Sequence, residues 1–256
     1  MSIRNALVAL TLSAGLFAAP ASATVFTFNT VGNSNQVNGG YGNNLQFTST
    51  DGVTTLHMMA TGWHASGTTS GGTQLSGITN GYLAAYPAGL GVTATGDQSG
   101  GNNYHQIDNI NGIDFILLQF DQAVNLAGIG RAVYTTPAGT DSDASYASMN
   151  NAVAWNSALN LATSGTLGNG VSGWTDVAGG SSASTTAIST NVYAKQWLIA
   201  ADIYGTDQDD GFKLSQVKVN YTRPAVPEPA TWAMMLTGFG LIGSAARRRK
   251  GSLQAA

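Results

Sequence analysis

The fold is indicated most clearly by residues 112–121, which read Gly-Ile-Asp-Phe-Ile-Leu-Leu-Gln-Phe-Asp. Side chains alternate along a strand, so Ile116, Leu118 and Phe120 lie on one face of this stretch. Phe115 and Leu117 lie on the other face, and both faces are therefore apolar. This pattern is typical of a strand that is covered on both sides. We expect it to lie at the centre of a β domain.

Further segments with alternating apolar residues flank this stretch. They are separated by turn-forming residues such as Asp51-Gly52, which is typical of a tight hairpin. The strands expected from this pattern cover residues 24–30, 45–49, 53–63, 124–129, 196–204 and 212–222. The Gly-, Ser- and Thr-rich segment 65–81 is expected to be a surface loop. Many short strands without a convincing internal helix predict an all-β fold, an antiparallel β-sandwich of jelly-roll type over residues 24–223.

Composition excludes several kinds of chemistry. The chain has 256 residues and no cysteine, so disulfides, thiol catalysis and thiolate metal ligands are excluded. Residues 24–226 contain twelve Asp, no Glu and five Lys or Arg, which gives this segment a net charge of −7. No nucleic-acid partner is expected, because phosphates require a basic surface. Asp favours turns, so these acids are expected in loops.

The N-terminus predicts export. Arg4 supplies a positive charge, residues 6–19 are largely apolar, and Ala21-Ser22-Ala23 is a small-residue cleavage pattern. Cleavage after Ala23 makes residues 1–23 a signal peptide and Thr24 the first mature residue. The alternative is an uncleaved N-terminal anchor.

The C-terminal end has three parts. Pro227-Glu228-Pro229 is followed by an uncharged, mostly apolar run over 230–246 and then by Arg247-Arg248-Arg249-Lys250. As a helix the run is roughly 25 Å long, near the short limit for crossing a bilayer. We expect a transmembrane helix whose basic end stays in the cytoplasm, with 251–256 as a short cytoplasmic tail. A plain single-pass anchor is the simplest interpretation of the apolar run and basic cluster alone.

The order Pro-Glu-Pro, apolar helix and arginine cluster resembles the PEP-CTERM sorting signal of Gram-negative bacteria, here over residues 224–250. The resemblance implies that an exosortase recognises Pro227, Glu228, Pro229 and the basic residues Arg247, Arg248 and Arg249, and removes the helix. The helix is then a transient membrane anchor, comparable to lipid-anchor signals whose tail is cut away. The mature protein is expected at the cell surface or in the extracellular matrix.

A second, weaker resemblance lies within the β domain. Gly89-Leu90-Gly91-Val92, Ile107-Asp108-Asn109 and the Phe120-Asp121-x-x-Val124 pattern are similar to segments of exported PEP-CTERM surface proteins. The resemblance implies a role with exopolysaccharide or cell-surface glycan, in biofilm or floc formation.

Catalysis is not expected. His57, His64 and His105 belong to neither a Gly-x-Ser-x-Gly nor a His-Glu-x-x-His motif, and paired-carboxylate chemistry would have to use Asp alone. We therefore predict a non-catalytic protein. A carbohydrate-binding module is the alternative, and a secreted hydrolase is a third hypothesis.

Two candidate binding features remain. The turn Asp207-Gln208-Asp209-Asp210-Gly211 offers several carboxylates, the ligands that calcium requires, so Asp207, Asp209 and Asp210 are a candidate calcium site. Asp108, Asp114, Asp141 or Asp143 are expected to share it, and a solvated turn is the alternative. The tryptophans that could stack on sugar rings are Trp63, Trp155, Trp174 and Trp197. Trp174, in a Gly-rich neighbourhood, is the candidate for an exposed carbohydrate platform, and core packing is the alternative.

Overall fold

The computed structural model describes residues 23–32, 40–69, 74–95, 97, 105–149, 166–167, 173–224 and 229–252. Ala23–Tyr221 forms one compact unit, and a second unit comprises Met1–Ser22 and Thr222–Ala256. The first unit holds the strands. The second holds a helix, α1, over Pro229–Ser252.

The first unit is built from antiparallel ladders, and its described residues contain no helix. The strands are β1 Ala23–Asn29, β2 Asn44–Thr50, β3 Thr55–Thr69, β4 Gln74–Asn80, β5 Tyr82–Tyr86, β6 Gly89–Thr93, β7 Ile107–Asp108, β8 Ile113–Val133, β9 Ala144–Met149, β10 Thr166–Leu167, β11 Thr175–Val177, β12 Ser184–Ala187, β13 Ala194–Ala201 and β14 Gly211–Thr222.

The longest strand, β8, has different neighbours along its two halves. Its first half pairs with β3 and β13, with Ile116 opposite Gly62 on one side and Ile199 on the other. Its second half pairs with β14 and β12, with Ile129 opposite Val217. The strands therefore form one hydrogen-bonded network that passes through β8.

Both faces of the first half of β8 are buried, as the sequence predicts. Ile116, Leu118 and Phe120 belong to a large core cluster with residues of β1, β3, β5, β6, β13 and β14. Phe115 and Leu117 belong to a second cluster with residues of β3, β4, β9 and β13. Burying five such side chains stabilises the fold by roughly 10 kcal/mol before chain entropy is counted, which explains why β8 lies between the two clusters.

The segment 65–81 is mostly strand, so the prediction of a surface loop is wrong. β3 continues to Thr69 and pairs with β4 as an antiparallel hairpin. Ala65, Leu75 and Ile78 are buried in the second cluster. Thr and Ser tolerate strand conformation, so their abundance beside these apolar residues was a poor indicator of a loop.

The prediction of an all-β, antiparallel unit is confirmed. The strands expected around 112–121 and over 124–129 are one strand, because β8 runs without interruption from Ile113 to Val133. The finer assignment to a jelly-roll sandwich stays a prediction, since the described strands are joined into one network.

The helix predicted over 230–246 is confirmed, and it continues through the basic cluster to Ser252. No helix in the described part of the chain is both long enough and apolar enough to cross a membrane. The predicted transmembrane character of residues 230–246 is therefore not confirmed. Six residues of this run are Thr, Gly or Ser, which lower its mean hydropathy. Of the predicted cytoplasmic tail, the first two residues are helical and 253–256 lie outside the described residues.

Candidate functional site

The predicted sorting segment coincides with the start of α1. The helix begins at Pro229, where a missing N–H costs no hydrogen bond because first-turn amides have no partner within a helix. Pro227 and Glu228 lie outside the described residues, as does Ala21 of the predicted signal cleavage site. Ala23 is the exposed first residue of β1. The position of signal cleavage stays a prediction.

The middle of α1 presents an exposed, largely apolar surface that includes Trp232 and Ile242. Thr237 Oγ1 donates to the carbonyl oxygen four residues earlier at 2.6 Å, and Ser244 Oγ donates to the carbonyl three residues earlier at 2.8 Å. Hydroxyls that are satisfied within the helix enter an apolar environment at a lower cost. The last turns of α1 carry the predicted basic residues, Arg247, Arg248 and Arg249.

Two loops of the first unit bring five carboxylates together, and we call this group the acidic cluster. The Asp141 amide donates to the Asp209 carbonyl at 3.0 Å, and the Gly211 amide donates to the Asp141 carbonyl at 2.9 Å. Side-chain oxygens lie within 4.8 Å of one another in two groups, Asp207 with Asp209 and Asp210, and Asp141 with Asp143 and Asp210. The three residues of the predicted calcium site are thus brought together, and Asp141 and Asp143 join them through Asp210.

Asp210 lies at the centre of the acidic cluster and is only 2% exposed. Its Oδ2 accepts a hydrogen bond from Asn109 Nδ2 at 2.8 Å, and its Oδ1 accepts one from the Asp143 amide at 2.8 Å. Burial raises the pKa of Asp210 to about 8, with further contributions from the negative charges of Asp143, Asp202 and Asp207. The surroundings therefore disfavour a free carboxylate at this position.

Asn109 is a site residue that sequence reasoning missed. It is 7% exposed, and its Nδ2 also lies 3.3 Å from the Asp207 carbonyl oxygen. Its Oδ1 has no hydrogen-bond partner among the described residues. β7 ends at Asp108, which lies opposite Gly211 at the start of β14, so pairing of these strands places Asn109 beside Asp210. The sequence feature that could have indicated this role is the position of Asn109 directly after the short strand Ile107–Asp108.

Arg131 is a buried cation whose charge interacts with Asp141, Asp143 and Asp210 of the acidic cluster. Its hydrogen bonds, however, go to other groups. Nη1 donates to the carbonyl oxygens of Ser142 and Val177, the latter at 2.9 Å. Nη2 donates to the Ala178 carbonyl at 2.9 Å and to Thr186 Oγ1 at 2.7 Å. The guanidinium therefore joins the loop before β9 to β11 and β12. Sequence reasoning did not identify this role.

Asp108 and Asp114 lie outside the acidic cluster. Asp114 is 2% exposed, and its Oδ1 lies 2.8 Å from Nδ1 of His64, its neighbour across the β3–β8 ladder. Burial, followed by the charge of Asp97, raises the pKa of Asp114 well above its usual range, and burial lowers the pKa of His64. Burial therefore favours the neutral form of each side chain, and their contact cross-links β3 and β8.

A further polar group surrounds Lys213, which is buried. Its Nζ lies 3.8 Å from the ring centre of Tyr134 and 4.8 Å from that of Tyr86. Burial lowers the pKa of Lys213 to about 8. His105 stacks on Tyr86, and its Nδ1 lies 2.6 Å from Thr93 Oγ1. Hydrolases use a hydroxyl nucleophile beside an imidazole base. The Thr93–His105 contact is therefore the structural feature that supports the hydrolase hypothesis.

Trp174 is buried, so the expectation of an exposed stacking platform is wrong. It is 7% exposed and packs in the second core cluster with Trp63. Trp197 is also buried, and Trp155 lies outside the described residues. A polar cavity of about 250 Å³ lies nearby; its lining includes Ser66, Asn109, Asp202, Thr206, Asp207 and Gln208.

Comparison with known protein families finds a match at the C-terminal end of the chain. Residues 225–250 match the PEP-CTERM protein-sorting motif. Neither the characterised proteins nor the solved structures include a match to this chain. The matched range begins just before Pro227 and ends at Lys250, the three-part segment identified from the sequence. The chain therefore carries a PEP-CTERM protein-sorting motif, which overlaps its C-terminal helix from Pro229 to Lys250.

Proposed function

We propose that the protein is exported, cleaved by an exosortase at its C-terminal segment, and left at the cell surface or in the extracellular matrix as a non-catalytic component. The observation that carries this proposal is the sorting motif at residues 225–250, which indicates exosortase-dependent sorting of a secreted protein. Association with exopolysaccharide, in biofilm or floc formation, is the further part of the proposal.

In this proposal α1 is part of a sorting signal that is removed after export. Its exposed apolar side chains, such as Leu236 and Ile242, contact lipid or the exosortase, and its basic end stays on the cytoplasmic side. The strand unit has its own apolar core, so removal of the helix leaves that core complete. Cleavage thus converts a membrane-associated precursor into a released surface domain.

The chemistry of the strand unit supports a matrix role over catalysis. Its buried polar side chains join backbone segments, as Arg131 and the His64–Asp114 pair do. Its negative charge disfavours nucleic acid and other polyanions. A hydrated polysaccharide of low charge is a partner that this negative charge does not repel.

The test is intact mass of the protein released by a host that contains an exosortase. The wild-type chain is expected to lack Trp232 to Lys250. Pro227→Ala is expected to leave a full-length precursor in the membrane fraction, whereas Pro224→Ala, an exposed proline outside the matched range, is processed normally. A mature wild-type chain that retains the helix would contradict processing and leave a plain anchor.

The second candidate function is a carbohydrate-binding module. It is favoured by the polar cavity, because carboxylate, amide and hydroxyl groups that line a concave site can bind sugar hydroxyls. Glycan-array binding that is weakened by Gln208→Ala, a cavity-lining residue, would support this function. Retention in the matrix without array binding would favour the structural role, and turnover of a glycan would favour the hydrolase.

A further inference from the structure

Lys213 carries a buried amine that sorting does not explain. It is 3% exposed, and among the described residues it forms no salt bridge. Its Nζ lies 3.8 Å from the ring centre of Tyr134 and 4.8 Å from that of Tyr86. Burial lowers the pKa of Lys213 to about 8. Part of this side chain is therefore the neutral, nucleophilic amine at neutral to mildly alkaline pH.

The side chain of Gln106 is a second buried group without an assigned role. It is 0% exposed, and neither Nε2 nor Oε1 has a hydrogen-bond partner of good geometry among the described residues. Burying an amide in this way is costly, because its hydrogen bonds to water are lost and not replaced. A reaction that changes this amide can therefore relieve part of that cost.

The pairing of β7 with β14 brings Lys213 and Gln106 together. Phe212 lies opposite Ile107, and both side chains are buried in the large core cluster. The next facing positions on the two chains are Lys213 and Gln106, whose side chains point to the opposite face because side chains alternate along a strand. Facing residues of antiparallel strands have Cβ atoms about 4.5–5.5 Å apart.

The missing side chain of Gly211 leaves room for the amine and the amide on this face. A Cβ at Gly211 would lie 2.9 Å from Gln106 Nε2, so the Gln106 amide lies over β14. The Tyr134 amide donates to the Gly211 carbonyl at 2.8 Å, and Tyr134 has the nearer of the two rings that contact Lys213 Nζ. The amine and the amide therefore converge on the same part of β14.

Asp108 places a carboxyl group beside both of them. It lies close enough to the Gln106 amide for that amide to affect its pKa, and its charge acts on Lys213. Burial, followed by the charge of Asp114, raises the pKa of Asp108 to about 8. The carboxyl group is therefore largely protonated at neutral pH and can act as a general acid.

We propose that Lys213 and Gln106 form an intramolecular isopeptide bond, with Asp108 as the group that transfers the proton. Lys213 Nζ attacks Gln106 Cδ, and a bond forms between these two atoms. The bond from Cδ to Nε2 breaks, and Nε2 leaves as ammonia after Asp108 donates a proton to it. Nζ then gives one of its protons to Asp108, which returns to its initial form. The reaction needs no oxidant and no other reactant.

Burial of the reacting groups favours this product. A buried amine, whose charged form is disfavoured there, becomes part of a neutral amide, and ammonia passes into water. The bond closes a loop of about a hundred residues and restricts the unfolded chain, as a disulfide does. The chain has no cysteine, so this cross-link stabilises the strand unit without thiols. The inference does not depend on the proposed matrix function.

The experiment is the intact mass of the purified, folded full chain, followed by tandem mass spectrometry of its proteolytic peptides. The wild-type chain is expected to be lighter than its sequence requires by one molecule of ammonia. A branched peptide should join Gln106 to Lys213, and trypsin should no longer cleave after Lys213. Lys213→Arg and Gln106→Ala should each abolish the branched peptide, whether or not they fold, because each removes a reacting group.

Lys218→Arg, on the same strand, is the matched control and should retain the branched peptide. Asp108→Asn keeps the size of the side chain and removes the acid, and it should lower the cross-linked fraction of freshly made protein by about tenfold or more. Folded wild-type protein without the branched peptide would overturn the proposal. Loss of water, with Lys213 joined to Asp108, would overturn the choice of Gln106. An unchanged cross-linked fraction in Asp108→Asn would contradict proton transfer by Asp108.

Discussion

Arg131 is expected to be the most sensitive polar residue of the strand unit. Arg131 is 1% exposed, and its guanidinium donates four hydrogen bonds, to three carbonyl oxygens and to the Thr186 hydroxyl. Arg131→Met keeps much of the apolar stem and removes all four donors. All four acceptors then lose this partner, and two of them belong to the buried residues Ser142 and Val177.

The magnitude follows from the number of bonds. Hydrogen bonds to a charged group contribute about 1.5–3 kcal/mol each, so four contribute roughly 6–12 kcal/mol. Desolvation of the guanidinium offsets several kcal/mol of this, and we expect a net loss of about 3–5 kcal/mol. That is a large part of a domain stability of about 5–15 kcal/mol. With a urea slope of about 2–3 kcal/mol per M, the midpoint should fall by roughly 1–2.5 M.

The assay is urea denaturation of the full chain, followed by tryptophan fluorescence. Arg131→Lys should lose less, because it keeps a charge but lacks the planar donor fork. Arg223→Met is the control: it removes the same charge from a partly exposed position near the end of the strand unit. A loss below about 1 kcal/mol for Arg131→Met, similar to the control, would show that the bonds add little net stability.

Three further predictions concern the core, a buried acid and a close backbone contact. Leu118→Ala should lower the unfolding free energy by about 3 kcal/mol, because Leu118 is fully buried; a loss below about 1 kcal/mol would contradict its central place. Asp114→Asn should reduce the fall in melting temperature between pH 5 and pH 8. The raised pKa of Asp114 makes the folded state bind a proton that the unfolded state releases, so its contribution is lost as pH rises, and Asn keeps a partner for His64. An unchanged pH profile would argue against this effect. Gly91→Ala should cost more than about 2 kcal/mol by urea denaturation, because a Cβ there overlaps the carbonyl oxygen of His105; full stability would mean that this backbone moves aside freely.

Local features could be predicted from the sequence. The two-faced pattern around Leu118 lies within one strand, and the sequence alone indicated that both faces are covered, which the two core clusters confirm. The sorting segment is equally local, because its Pro-Glu-Pro, apolar run and basic residues are contiguous. Its helix follows from local hydrogen bonding, and the family match rests on the same contiguous residues.

Other features could not be predicted, because burial depends on which element covers a side chain. Trp174 was expected at the surface from its Gly-rich neighbours, yet it packs in a core built by distant strands. Segment 65–81 was expected as a loop from composition, yet pairing of β3 with β4 makes it a hairpin. A local composition contains no information about such partners.

The candidate calcium site also combines a feature that is local in the sequence with contacts that depend on distant strands. Asp207, Asp209 and Asp210 share one turn simply because they are neighbours in the chain. The hydrogen bonds to Asp210 from Asn109, 101 residues away, and from the Asp143 amide, 67 residues away, arise only when the chain folds. Those contacts exist because β7 pairs with β14 and because the loop before β9 lies beside residues 209–211. Strand pairing over such separations is settled by the burial of the whole core, which no single stretch of the sequence specifies.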